Sequence, residues 1–231
     1  MAAHRPTITG TRHMVSACHY LAAQAGYRIL EAGGNAIDAG VAAGMALAVV
    51  QPEYVNFAGV APIIVRLNTG EVITISGLGG WPRALAPDYF ITHHNGRIPS
   101  GVLRTVVPGA PDAWITALEK FGTMSFGEVS GGAIDLARNG FAVNPLMAEV
   151  MASQEAQYRR FPTNVSLYLP NGHTPRVGEI FVQSDLAKTL QYMVDEERAA
   201  AGGGREAGLN GARRAFYRGD IARRIVQYHA A

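Results

Sequence analysis

Residues 14–17 read as a short strand, and apolar positions then recur at helical spacing over 20–32, where Gly33-Gly34 supplies the residue that tolerates a left-handed helix end. The pattern therefore predicts a short strand followed by a helix. A second helix begins at once. Asn35 can cap it through its side-chain oxygen, Asp38 sits in the first turn where the dipole favours negative charge, and the apolar run continues to about Val50. Within that run Ala36, Gly40, Gly44 and Ala48 recur at a spacing of four, a nearly side-chain-free stripe that predicts close approach to a neighbouring layer. β-Branched residues then dominate 60–67 and 71–76, and Asn68-Thr69-Gly70 between them is turn chemistry, so a hairpin is expected, with Pro62 near the start of its strand.

Gly77-Leu78-Gly79-Gly80-Trp81-Pro82 reads as a loop, after which helical spacing returns over 110–121, 125–139 and 144–160. The last of these has Asn144 as cap and Pro145 at its first position. A long loop is expected over 161–183, then a helix capped by Ser184 and running to about Arg198. The glycine-dense stretch 199–211 reads as a flexible surface insertion, and a final helical segment, 212–228, is broken near Gly219. Strict βαβ alternation is absent, so the expected architecture is α+β within the broad α/β class: an antiparallel sheet covered by helices, with a helical extension. It is treated as one domain over 1–231, strand-rich in 1–86 and mainly helical in 87–231.

With 231 residues, 48% of them apolar, the chain is long enough and apolar enough for a buried core, which excludes a disordered chain. The longest uncharged apolar stretch, 39–50, falls short of the roughly 18 residues that cross a bilayer. The opening segment 1–11 has no apolar core after its charges, so a cytoplasmic location is expected and no membrane partner. A net charge of +2 gives no argument for nucleic acid as a partner. Cys18 is the only cysteine, which excludes an intramolecular disulfide and a Cys-rich zinc site.

Candidate chemistry in the residues themselves is sparse. Ser16, Cys18 and His19 invite a nucleophile-and-base reading, but in an extended strand Cys18 and His19 point to opposite faces, so a buried thiol and a strand-end histidine is the plainer account. His93-His94 lacks a third ligand at metal spacing, and no metal or other cofactor is expected. Gly77 to Gly80 lacks the Gly-Lys-Ser/Thr of a phosphate loop and runs into Trp81-Pro82. Arg213, Arg214, Arg218, Arg223 and Arg224 make the C-terminal segment basic, for which a solvated helix face is the ordinary explanation. The residues alone show a plausible fold and no complete catalytic set.

Several segments together carry a family resemblance. Met14-Val-Ser-Ala-Cys-His-Tyr-Leu-Ala-Ala-Gln-Ala-Gly26 and Ile29-Leu-Glu-Ala-Gly-Gly-Asn-Ala-Ile-Asp-Ala-Gly-Val-Ala-Ala43 are followed by Val107-Pro108-Gly109 before a helix ending in Phe121-Gly122, and by 133–145 with Gly140-Phe141. Gln183-x-Asp185-Leu186-Ala187-x-Thr189-Leu190 and Phe216-Tyr217-Arg218-Gly219-Asp220-Ile221-Ala222 complete the series. In this order the segments resemble the front part of the larger subunit of the γ-glutamyltranspeptidase family. The resemblance implies an N-terminal-nucleophile hydrolase of αββα architecture, incomplete in this chain. It implies a precursor that cuts itself to expose a threonine at the start of a smaller subunit, and that threonine would attack an amide carbonyl with its own α-amine as base. No threonine here stands in that motif, so the resemblance assigns no catalytic residue to this chain. It assigns as partners a small subunit with an N-terminal threonine and a small amide substrate.

Family members that handle γ-glutamyl groups carry Arg-Glu-Thr-Ala-Pro just after the second hairpin strand, the arginine gripping the substrate's α-carboxylate. The register from Ser76-Gly77 puts Leu78 at the arginine and Gly79 at the glutamate. Loss of a charge-assisted hydrogen bond of roughly 1.5–3 kcal/mol implies γ-glutamyl recognition weaker by about one to two orders of magnitude. The glycine-rich segment before the first hairpin strand is also altered, to Phe57-Ala58-Gly59-Val60-Ala61-Pro62. These changes imply a divergent amidohydrolase or acyltransferase whose acyl group is not necessarily γ-glutamyl, with Leu78, Trp81 and Arg83 as candidate substrate-binding residues at the pocket's edge. The competing reading is a non-catalytic scaffold or binding protein derived from the same family, and self-contained Cys18 chemistry is a third.

Overall fold

A computed structural model describes residues 7–230; the start of segment 1–11 and Ala231 lie outside them. Helices α1 (Tyr20–Glu31) and α2 (Ala36–Val50) lead into the hairpin β1 (Ile63–Arg66) and β2 (Val72–Ile75). Then come α3 (Tyr89–His94), α4 (Ala110–Phe121), α5 (Phe126–Asn139), β3 (Phe141–Ala142), α6 (Pro145–Tyr158) and α7 (Pro162–Tyr168). Last are β4 (Ile180–Phe181), α8 (Ser184–Ala200), α9 (Arg205–Tyr217) and α10 (Asp220–Ala230). The described chain is thus mostly helical, with two antiparallel two-stranded sheets, β1–β2 and β3–β4. None of its helices is long and apolar enough to cross a membrane.

The core is helix on helix. α5 is held between α2 and α8, α9 packs on α8 and α4, and Met45, Ile115, Leu118, Phe126, Met147, Leu190 and Leu209 are fully buried there. The ends of these helices are fixed by side chains. Ser125 and Glu128 form a capping box on α5, Asn144 accepts from Met147 N at 2.9 Å on α6, and the buried Gln183 donates to Val49 O at the end of α2. Gln183 occupies the cap position of α8, so Ser184 is its first helical residue and not its cap.

The small-residue stripe of α2 is only half as expected. Ala48 is buried and Gly44 lies against the Trp114 ring, but Ala36 and Gly40 face solvent, because the buried face turns on Val41, Ala42, Met45, Ala46 and Val49. The close approach of α1 to α2 is made instead at Gly26, where a Cβ would stand 2.7 Å from Ala39 O.

Four further expectations are corrected. Residues 14–17 alternate between exposed and half-buried as a strand would, yet they form none, since no described strand lies beside them to complete a ladder. The sheet is correspondingly smaller than a helix-covered antiparallel layer, and 1–86 is not strand-rich. The loop 161–183 contains α7 and β4. The stretch 199–211 is not a flexible insertion but a 3-10 turn (Ala201–Gly203) and the first half of α9. Gly208 and Gly211 serve packing on α8, a Cβ on Gly211 falling 2.6 Å from Glu196 O.

Gly26 and Gly40 make opposite predictions on neighbouring helices. Gly40→Ala, which meets nothing within 4 Å, is expected to stabilise the fold by up to about 1 kcal/mol through helix propensity. Gly26→Ala is expected to destabilise it by about 1–3 kcal/mol through overpacking. Paired denaturant titrations of the two variants measure both signs.

Candidate functional site

The segment 33–39, with the family-like signature Gly-Gly-Asn-Ala-Ile-Asp-Ala, is a clamp. Gly33 takes φ +94° to end α1, and Asn35 Oδ1 accepts from Ile37 N at 2.8 Å and Asp38 N at 3.1 Å. Asp38, fully buried, accepts from Asn35 N (2.9 Å), Thr123 N (2.9 Å), Thr123 Oγ1 (2.7 Å) and Met124 N (3.2 Å), while Asn35 Nδ2 donates to Phe121 O at 2.7 Å. Burial alone would push the Asp38 carboxyl up, but these donors together hold it below the ordinary carboxylate value. Both ends of the signature are consumed in tying α2 to the turn between α4 and α5, which leaves no group free for chemistry.

Cys18 and His19 differ in exposure, as residues on opposite faces would, but the expectation of a buried thiol and a strand-end histidine is corrected: Cys18 is exposed, and His19 is buried as the cap of α1, because no strand forms here. His19 Nδ1 accepts from Leu21 N at 3.2 Å as the cap of α1, which leaves the ring proton on Nε2, and burial lowers its pKa. With Nδ1 occupied by Leu21 N and the proton on Nε2, this imidazole has no free lone pair with which to act as a base for the thiol. His93 and His94 end α3 beside Tyr89, and the described residues hold no group of three potential metal ligands.

The end of the hairpin is where an open site exists. Residues 77–80 are threaded between two other backbone segments: Ala61 N donates to Gly77 O and Val107 N to Gly80 O, both at 2.9 Å, while Gly109 N and Ala110 N donate to Gly59 O at 3.0 Å. Gly77 and Gly79 have positive φ, and a Cβ on either would collide with the carbonyl oxygens of Ala61 and Val107. Only Leu78 can present a side chain at this crossing. It is 54% exposed and lines a cavity of about 530 Å³ that the last turns of α9 also wall, through Arg213, Arg214 and Tyr217.

That wall is fixed by two networks. Tyr217 Oη donates to Pro108 O at 2.7 Å and accepts from Asp112 N at 3.1 Å, so its phenol caps α4 while closing the crossing; burial pushes it up to about 12. Arg213 bonds Asp112 at 2.8 Å and Glu119 at 2.7 Å, and the Arg213 guanidinium holds the Glu119 carboxyl below its ordinary value. The structure does not bring Trp81 and Arg83 into this cavity. Trp81 packs on Phe90, ring centroids 5.4 Å apart, and Arg83 is exposed beyond it. Tyr217 was visible in the sequence as part of Phe216-Tyr217, but its hydrogen bonds to a segment more than a hundred residues earlier are a tertiary fact.

The family model for gamma-glutamyltranspeptidase matches residues 22–231. The chain belongs to the γ-glutamyltranspeptidase family. Acylase ACY 1 proenzyme of Pseudomonas sp. (strain V22) is 35% identical over 207 residues, covering 85% of this chain and 37% of that protein. The glutathione hydrolase-like YwrD proenzyme of Bacillus subtilis (strain 168) is 32% identical over 225 residues, covering 96% and 40%. Among solved structures, Helicobacter pylori gamma-glutamyltranspeptidase matches with TM-score 0.83 and 29% identity over 95% of this chain and 60% of that one. The chain spans well under half the length of these curated relatives, so what is described is a partial fold of this γ-glutamyltranspeptidase-family protein.

The clamp sets a pH expectation for this family member. Asp38's folded pKa is depressed below its unfolded value of 3.8, so its contribution is present above that value and is lost as pH falls through the folded pKa. Asp38→Ala is expected to cost about 3 kcal/mol or more at pH 7, because a charged acceptor is removed and several donors are left buried. The loss should shrink towards pH 2, as denaturation midpoints of variant and parent across that range would show.

Proposed function

We propose that this chain is the large-subunit portion of an autoprocessed N-terminal-nucleophile amidohydrolase or acyltransferase that cleaves a small amide, not necessarily a γ-glutamyl one. The nucleophile in this reading is a threonine at the start of a small subunit, its α-amine taking the hydroxyl proton as the oxygen attacks the amide carbonyl. One observation carries the reading: the hairpin β1–β2 stands with both edges unpaired among the described residues and with Ile64 and Val72 in solvent, in a chain spanning 35–40% of relatives that are proenzymes. An isolated two-stranded sheet is marginal, and an open apolar edge is a template for further strands. Strands from the small subunit would complete it into the αββα sandwich.

The amide class is supported by the range of relatives, among which are an acylase, glutathione hydrolases and the oxamate amidohydrolase proenzyme of Klebsiella pneumoniae, 31% identical over 228 residues. Departure from γ-glutamyl recognition is supported by Leu78, whose apolar side chain enters the open cavity at the position given to a substrate-gripping arginine. In this reading Leu78 forms the inner edge of the substrate pocket, and Trp81 and Arg83, beyond it on the same loop, the outer edge.

Expression of this chain together with its downstream polypeptide, followed by intact-mass measurement and N-terminal sequencing, tests the reading. A second chain beginning with threonine, with amide turnover only when both chains are present, is the expected result. The γ-glutamyl amide should be turned over about 10- to 100-fold less efficiently than the best amide found. A single unprocessed species that binds small ligands without turnover would replace it with the non-catalytic scaffold.

A further inference from the structure

Away from the hairpin crossing, both carboxylate oxygens of Glu53 are shut off from solvent with no hydrogen-bond partner among the described residues. Glu53 stands in the turn after α2, and the titratable groups beside it are Tyr158 at the end of α6 and Tyr168 at the end of α7. These two rings close an aromatic stack. Tyr158 lies on Tyr168 at 4.6 Å between centroids, Tyr168 on Phe181 at 6.0 Å, Phe181 meets Phe141 at 6.0 Å, and Phe141 meets His19 at 6.3 Å. No cation offsets a charge on Glu53 among the described residues: Arg159, next to Tyr158, pairs with Glu155, and Arg160 bonds Gln157. Both phenols stay neutral, Tyr168 being pushed up to about 12 by burial.

A carboxylic acid fits such a place at far lower cost than a carboxylate. Burial pushes the Glu53 carboxyl up, and its own backbone N–H, the one group that favours the charged form, does not offset this. The helices beside it are lightly held. α7 has no buried residue, and α6 has only Met147 and Met151. Elements with so few buried contacts open at low free energy. We propose that Glu53 is a proton-operated latch on α6 and α7: neutral, it lets Tyr158 and Tyr168 close beside the turn after α2, and ionised it releases them. α7 also walls a cleft of about 1,050 Å³ with Phe181, Gln183 and Leu186, so the latch sets the width of that cleft.

The sign follows from the direction of the shift. Glu53's closed-state pKa lies above its ordinary value of 4.5, so closure is fully favoured below 4.5 and weakens as pH rises through the raised pKa. His19, whose pKa is lowered from 6.5, acts in the opposite sense and loosens the fold as pH falls. Hydrogen exchange of backbone amides, expressed as protection relative to the intrinsic rate at each pH, tests the latch in this chain co-expressed with its downstream polypeptide. Between pH 5 and 8 the protection of α7 should fall about threefold or more, roughly tenfold for each unit by which closure raises the carboxyl, while that of α5 holds. Glu53→Gln, neutral at every pH, should keep α7 protected at pH 8. Should that variant fail to fold, Glu53→Met is read the same way. A flat profile in the parent, a loss that α5 shares, or a loss that survives in a neutral variant overturns the latch. If neither variant folds, the parent decides: a one-proton loss centred above pH 4.5 and confined to α6 and α7 supports it, and any other profile overturns it.

Discussion

Asp38 is a fully buried carboxylate without a cationic partner among the described residues, held ionised by N–H and hydroxyl donors that arrive from both its own helix start and the turn after α4. Such a charge is tolerable only while every donor is in place. It therefore fixes the start of α2 against the end of α4 to within hydrogen-bond tolerance, and leaves no room to spare: a Cβ on Gly122 would stand 2.5 Å from Asp38 Oδ1. α4 is then held at its other end by Tyr217 and by Gly59 O, which makes it the rod between the helical stack and the hairpin. The position of Leu78 is thus set at a distance by a carboxylate in the first turn of α2.

The two halves of the described chain solve the burial problem differently. The helical stack closes on itself, with capped termini and a continuous core in which Glu197 caps α5 through Phe126 N and Gly127 N. The hairpin does not: Val65 is buried, whereas Ile64 and Val72 on the other face are not. A helix satisfies its backbone internally and needs only a neighbouring stripe, but a strand needs partners on both edges. The described chain is therefore closed in its central helical stack and open at the β1–β2 hairpin.

The same contrast explains what was legible in the sequence. The pattern gives α4 over 110–121 as observed, because period, Pro111 and Gly122 agree, and α1, α2 and α5 fall within a residue or so of expectation because their caps are local side chains. Residues 14–17 show how a short strand-like stretch fails, since its residues do not specify the presence of a neighbouring strand. Residues 199–211 fail for another reason. Glycine as loop punctuation and glycine as a close-packing device look identical until Glu196 and Glu197 are known to lie across from them. Segment α3 and helix α7 are too short for periodicity to declare.

At the candidate site, Leu78 was singled out through the family register from Ser76-Gly77, whereas the crossing that admits no side chain at Gly77 or Gly79 is a tertiary fact. Which arginines are free to act was not legible. Arg213 and Arg214 are adjacent and both line the cleft, yet Arg213 is taken by Asp112 and Glu119 on α4 while Arg214 meets no carboxylate among the described residues. Charge in a basic segment is therefore not a property of its composition. It is what remains after each arginine has met, or missed, a carboxylate on the neighbouring helix, and here what remains lines the cavity that Leu78 also lines.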